Sequence, residues 1–183
     1  MNHYFELKIK PDNEMSKAEL TAKIYTKFHT ALCTMQTNQI GISFPETQLD
    51  LGNIFRIHSN ESQLRELQNL NWLGGFVGYC EMSQIQPVPI ESKYQVISAK
   101  RSNMSQAKLR RLINKGSIDA EGVKRYKRKM LSQWFDNPYI DLVSRSNGQV
   151  YRKFFQFSPI QDVAIEGTFD SFGLSKTATI PYF

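Results

Sequence analysis

The sequence predicts an α+β chain, and three observations lead there. Residues 1–84 run β-α-β-β-α-β by hydrophobic periodicity, which is the ferredoxin-like (RRM-like) arrangement. Residues 85–94, with Pro87 and Pro89, read as a linker. Residues 95–183 change character to an arginine- and lysine-rich helix and short antiparallel strands.

The elements follow in order. "HYFELKIK" from residue 3 alternates like a half-buried strand, and Pro11 and Asp12 end it. "SKAE" at 16–19 matches a capping box, with Ser16 as N-cap and Glu19 at the third helical position. The helix behind it carries Leu20, Ile24, Phe28, Ala31, Leu32 and Met35 on one face. "IGISF" at 40–44 and "NIFRIHS" at 53–59 are short strands. "SNESQLRELQNL" is a second helix with Leu64, Leu67 and Leu70 in its apolar row. "GGFVGYCEM" at 74–82 is expected to be the fourth strand of the first domain. Its glycines are turn formers, because no GK[ST] follows to make a phosphate loop.

Past the linker, "SNMSQAKLRRLINKG" is helical, with Leu109, Leu112 and Ile113 on one side. Lys108, Arg111 and Lys115 share another side with Arg110 near them, and Gly116 stops the helix. "DAEGVKRYKRKMLSQWF" is a second basic helix, and "YIDLVS" and "QVYRKFFQF" alternate as strands.

The chain has 183 residues and 40% hydrophobic content, enough for one or two small cores. It has no apolar run of membrane-spanning length and no secretory leader at "MNHYFELKIK", so a cytoplasmic protein with no membrane partner is expected. Cys33 and Cys80 fit no disulfide framework or zinc spacing, and buried free thiols are expected. A metal site from Cys33, His29 and another histidine is the minor alternative. Formal net charge is +6, yet residues 100–129 alone hold eleven cations against Asp119 and Glu121, so the remainder of the chain is net acidic. A mildly acidic body with one concentrated basic segment points to a polyanionic partner.

His29, in "YTKFHTAL", lies beside the apolar stripe of the first helix. A histidine there is either a satisfied helix-edge side chain or a proton-transfer group, and its neighbours in sequence leave both open. His3 and His58 fall in predicted strands and read as structural.

Taken together, these segments resemble a known family. "NHYFELKIKPD", "KFHTAL", "IGISFPE", "FRIHS", "SN" with "KLRRL", "SRSNGQVYR" and "FGLSK…PYF" occur in the order and spacing of the CRISPR-associated endoribonuclease of subtype I-F systems, over residues 2–183. The resemblance implies an endoribonuclease that binds a CRISPR repeat stem-loop and cuts precursor crRNA at the 3′ base of the hairpin. It implies metal-independent chemistry with no cofactor. A 2′-hydroxyl attacks the adjacent phosphorus, leaving a 2′,3′-cyclic phosphate and a 5′-hydroxyl. It further implies that the enzyme stays on the mature crRNA as one subunit of the type I-F interference complex.

Carried over by position, His29 is the general base and Ser144 holds the 2′-hydroxyl, with Ser146 the competitor two residues on. Where some members have a tyrosine before "GLSK", this chain has Phe172, which packs but cannot hydrogen-bond. Lys176 either contacts the backbone near the scissile phosphate or only closes a turn. Lys108, Arg110, Arg111 and Lys115 would bind the stem, and Lys100 and Arg101 would lie where the family reads bases. Tyr151 is either a base-stacking aromatic or a core residue. Two rivals remain: a catalytically weak or inactive RNA hairpin-binding subunit, for which Phe172 speaks, and a general DNA or polyanion binder.

Overall fold

A computed structural model of the chain describes residues 1–100, 106–132, 137–144 and 148–183. Strand β1 (His3–Ile9) leads through an Asp12-capped turn into helix α1 (Lys17–Met35). Ser16 caps α1 as expected, its hydroxyl accepting from Glu19 N at 3.3 Å. The helix ends on Gln36 in the left-handed region at φ 52°. Strands β2 (Gly41–Ser43) and β3 (Ile54–Ser59), helix α2 (Glu61–Asn69, capped by Asn60) and strand β4 (Cys80–Met82) complete the first half.

The strands lie in the order β2-β3-β1-β4, antiparallel throughout, which is the ferredoxin-like sheet. "GGFVGYCEM" departs from expectation. Gly74–Tyr79 is a 3₁₀ turn, and only the three residues after it, Cys80–Met82, pair with β1. Gly74 sits at φ 55°, and its neighbours Gly75 and Gly78 have no side chain to pack on a sheet face, so pairing begins only at Cys80. In α2, Leu64 and Leu67 are buried while Leu70 points to solvent.

In the 85–94 stretch, β5 (Gln86–Pro87) adds two residues to the edge of β1. Strand β6 (Lys93–Gln95) pairs with the last strand, β10 (Ile180–Tyr182). A second antiparallel sheet, in the order β7-β9-β8, is built from β7 (Ile97–Lys100), β8 (Tyr139–Val143) and β9 (Val150–Phe157).

Between β7 and β8 lie the basic helices α3 (Gln106–Asn114) and α4 (Ala120–Ser132). α3 closes on Gly116 at φ 64°, where Ser117 N reaches Leu112 O at 3.0 Å, a Schellman-type stop. α4 is capped by Asp119, whose Oδ1 accepts from Gly122 N at 2.7 Å. Leu109 and Met130 are buried, but Ile113, expected on the apolar side of α3, is 46% exposed. No helix among the described residues is long and apolar enough to cross a membrane.

One core spans both halves of the chain. Phe5, Leu7 and Ile9 of β1 and the apolar face of α1 pack with Ile97, Ile140, Leu142 and Phe155 of the second sheet and with Phe169, Leu174 and Ile180 near the C-terminus. Tyr25 stands at its centre, fully buried, with the rings of Phe28, Phe44, Phe55, Phe155 and Phe172 between 5.7 and 6.5 Å away. Each such aromatic contributes about 1.5–3 kcal/mol by leaving water, which ties α1 firmly to the C-terminal segment. His58 is buried in the sheet, its Nε2 2.8 Å from Ser43 Oγ.

Candidate active site

α1 presents a half-buried His29 one turn after Tyr25, at the edge of the face that meets the core. The partner of its imidazole comes from the far end of the chain. Nδ1 lies 2.8 Å from the main-chain carbonyl of Ser171. A carbonyl only accepts, so Nδ1 carries the proton, and the neutral ring then presents a bare lone pair at Nε2. That is the form a general base needs.

The ring is also fixed in plane. It lies against Phe172 with centroids 3.8 Å apart and planes 2° from parallel. Cys33, one helical turn on, puts its Sγ 3.7 Å from Nδ1 and 3.9 Å from Nε2. Cys33 is exposed, against the expectation of a buried thiol, because its place on α1 is turned from the core stripe. Cys80 is the half-buried one, and burial pushes its thiol up to about 11. Among the described residues no third metal-ligating side chain joins Cys33 and His29.

The loop that carries Ser171 and Phe172 is held from four sides. Asp170 Oδ1 accepts from Phe172 N at 2.8 Å and Leu174 N at 3.0 Å. Tyr25 donates its hydroxyl to the Phe172 carbonyl at 3.0 Å. Burial first, then the charge of Asp170 and the neighbouring Tyr151, push the Tyr25 phenol well above its usual range, so the donor stays protonated. Gly173 O accepts from Ile42 N at 3.0 Å, and Ser175 N donates to Ile97 O at 3.0 Å. Gly173 itself has φ 72°, and a Cβ there would stand 3.1 Å from both Ile42 Cγ2 and Phe28 Cε1. Only glycine fits this turn.

The second sheet puts the remaining residues on one of its faces. Cross-strand partners share a face, so Ile140 with Lys153 and Leu142 with Tyr151 lie on one side of the β8–β9 pair. Ile140, Leu142 and Phe155 on that side are in the main core. Ser144 continues the alternation just past β8, its N–H donating to Gln149 O at 2.9 Å. The alternation therefore puts Ser144 and Tyr151 on the face that carries Lys153. Tyr151 is 41% exposed, so it is not a core residue. Lys153 is half-buried and rests its Nζ 3.4 Å from the Phe172 ring centroid.

The opposite face of β9 carries Arg152 beside a buried Phe154. There Arg152 makes two bonds to Asp141, at 2.8 and 2.9 Å, and lies over Tyr139.

The other candidates sit apart. Lys108, Arg110, Arg111 and Lys115 are all exposed on or just beyond α3, and Lys124, Arg125, Lys127, Arg128 and Lys129 are exposed on α4. Lys100 ends β7 with Nζ 3.2 Å from Asn137 Oδ1, in a cavity of about 500 Å³ that it shares with Arg56, Gln95 and Gln156. Lys176 is exposed on the turn after Ser175. Arg101 and Ser146 lie outside the described residues.

Three members of the His29 surroundings escape the sequence reading: Lys153, the Ser171 carbonyl and the Tyr25 hydroxyl. For Lys153 a signal existed. In "VYRKFFQF" it alternates in step with Tyr151 and Phe155, so a lysine stands where the strand's apolar face continues. A main-chain carbonyl leaves no such mark.

Comparison with known proteins adds four findings. The family model described as CRISPR-associated protein (Cas_Csy4) matches residues 4–183. The CRISPR-associated endonuclease Cas6/Csy4 of Escherichia coli (strain UTI89 / UPEC) is 32% identical over 184 residues, covering 100% of both chains. The protein of the same description from Pseudomonas aeruginosa (strain UCBPP-PA14) is 32% identical over 187 residues, again covering 100% of both. Among solved structures, that of CRISPR endoribonuclease Cse3 bound to 19 nt RNA aligns over 99% of this chain and 100% of its own, at 9% identity and a TM-score of 0.39.

Proposed function

The chain belongs to the Cas_Csy4 family of CRISPR-associated proteins, and on that footing we propose that it is a metal-independent endoribonuclease that binds a CRISPR repeat stem-loop and cuts precursor crRNA at the 3′ base of the hairpin. The observation that carries the reading is the His29–Ser171 hydrogen bond at 2.8 Å, which puts the proton of the neutral ring on Nδ1 and leaves Nε2 unprotonated.

In this mechanism Nε2 takes the proton of a ribose 2′-hydroxyl. The 2′-oxygen bonds to the adjacent phosphorus, and the bond from phosphorus to the 5′-oxygen breaks. The departing 5′-oxygen takes up a proton, leaving a 2′,3′-cyclic phosphate and a 5′-hydroxyl. Such a base contributes on the order of 10²–10⁴-fold. Ser144 holds the 2′-hydroxyl in a reactive rotamer, a role its face of the second sheet supports. Tyr151 stacks on a base beside the cut, for which its exposure is suited.

The exposed cations of α3 bind the stem phosphates, and Lys100 and Arg101 are the candidates to read bases at the stem. Eleven cations between residues 100 and 129 make a footprint dense enough to hold the product. The protein then remains on the mature crRNA, in the cytoplasm, as a subunit of the type I-F interference complex, and its turnover is close to single.

The second reading, an RNA hairpin-binding subunit with weak or no cleavage, draws on Phe172, which lacks the hydroxyl of some relatives. Against it stands the Ser171 carbonyl, which fixes the imidazole without any side-chain hydroxyl. Cleavage of the repeat hairpin encoded beside the gene, in EDTA, separates the two. The enzyme reading expects a cyclic-phosphate product from normal RNA and none from RNA with a 2′-deoxy residue at the cut. Tight binding without any cut would leave only the binding subunit.

A further inference from the structure

We propose that Lys153 is a further residue of the active site, and that its ammonium binds the scissile phosphate from across the Phe172 ring. The inference rests on the endoribonuclease reading and adds a group that reading does not use. His29 lies 3.8 Å from the Phe172 centroid and Lys153 Nζ lies 3.4 Å from it. Two groups that close to one centroid cannot share a face without clashing, so the ring is sandwiched between imidazole and ammonium. The two distances together put Nζ no farther than about 7 Å from the imidazole centroid.

That span matches the substrate. A 2′-hydroxyl within hydrogen-bond reach of Nε2, with phosphorus in near-attack range beyond it, puts the phosphate roughly 6 Å from Nε2. Phe172 has no polar atom with which to meet that phosphate. A cation on a flexible four-carbon stem on the far face of the ring can reach around its rim to the non-bridging oxygens. Charge there increases as the 2′-oxygen bonds, so a fixed cation stabilises the transition state more than the bound substrate.

Lys153 occupies the side of β9 that carries Phe155 into the core, so the strand register itself brings its ammonium to the Phe172 ring.

The test uses full-length protein and the repeat hairpin with a 2′-deoxy residue at the cut, so that binding is read without cleavage. Its scissile linkage is either a normal phosphate or a neutral methylphosphonate, with both diastereomers run. Wild type is expected to bind the neutral linkage roughly tenfold or more weakly, the scale of a charge-assisted hydrogen bond. Lys153→Met should bind the two linkages within about threefold of each other, and Lys153→Arg should restore the preference. On cleavable RNA, Lys153→Met should cut on the order of 10²-fold more slowly. Lys153→Gln replaces Lys153→Met if the latter does not fold.

A Lys153→Met or Lys153→Gln protein that still prefers the charged linkage as strongly as wild type overturns the proposal, as does a wild type without preference. If wild type shows the preference but never cuts normal RNA, the endoribonuclease reading fails while the phosphate contact stands.

Discussion

His29 lies flat on Phe172, ring planes 2° from parallel, while its Nδ1 donates to the carbonyl of the residue before, Ser171. One loop thus sets both the plane and the tautomer of the candidate base. The arrangement needs a ring at 172 but no hydroxyl.

Phe172→Tyr should therefore cut at a rate within about threefold of wild type, since the ring is kept. Phe172→Ala should slow cleavage on the order of tenfold, the scale of removing one aromatic stack, with hairpin affinity little changed. Single-turnover cleavage alongside equilibrium binding reads both effects.

Gly173→Ala tests the loop from its backbone. A side chain at φ 72°, pressed against Ile42 and Phe28, should cost about 1–2 kcal/mol from the left-handed conformation alone. Urea unfolding measures that loss. Because the turn carries Ser171 O to His29, the cleavage rate should fall further than the stability change explains.

His58 gives a pH dependence separate from catalysis. Burial first, then Arg56, hold its imidazole well below the usual 6.5 in the folded state. Below about pH 6.5 the unfolded chain takes up a proton that the folded chain refuses, so stability falls as pH drops through that window. The slope from this one group is at most about 1.4 kcal/mol per pH unit. Urea unfolding at pH 7 and pH 5 should show a larger loss for wild type than for His58→Gln.

The basic helix should act through charge rather than through the cut. Arg110→Ala with Arg111→Ala should weaken hairpin binding and flatten the dependence of log affinity on log salt, by roughly 0.7–0.9 for each phosphate no longer neutralised. Cleavage at saturating protein should change little. A salt series of binding curves reads the slope.

Much of this fold is legible in the chain itself. Periodicity marked α1, α2, β1, β3, β8 and β9, because the apolar residues of each recur at the spacing of one helix or strand face. The cap at Ser16 and the stop at Gly116 were written in side-chain chemistry and in the want of a Cβ. "GGFVGYCEM" misled because a short apolar run between glycines fits a strand or a tight turn equally, and pairing geometry decides.

The site was legible in part. His29 stood out as a polar residue at the margin of an apolar stripe, and the family resemblance supplied the position of Phe172. The Ser171 carbonyl was hidden because the contact joins residues 142 apart through a main-chain atom. Lys153 was hidden differently: its alternation with Tyr151 and Phe155 is visible, but its meeting with Phe172 depends on how the second sheet docks on α1.

The most direct test of the account is single-turnover cleavage of the repeat hairpin by wild type and His29→Ala, in EDTA, with and without added imidazole. His29→Ala should bind within a few-fold of wild type, cut on the order of 10²–10⁴-fold more slowly, and regain part of the rate from free imidazole. A His29→Ala protein that cuts at the wild-type rate would contradict the role of His29 as general base.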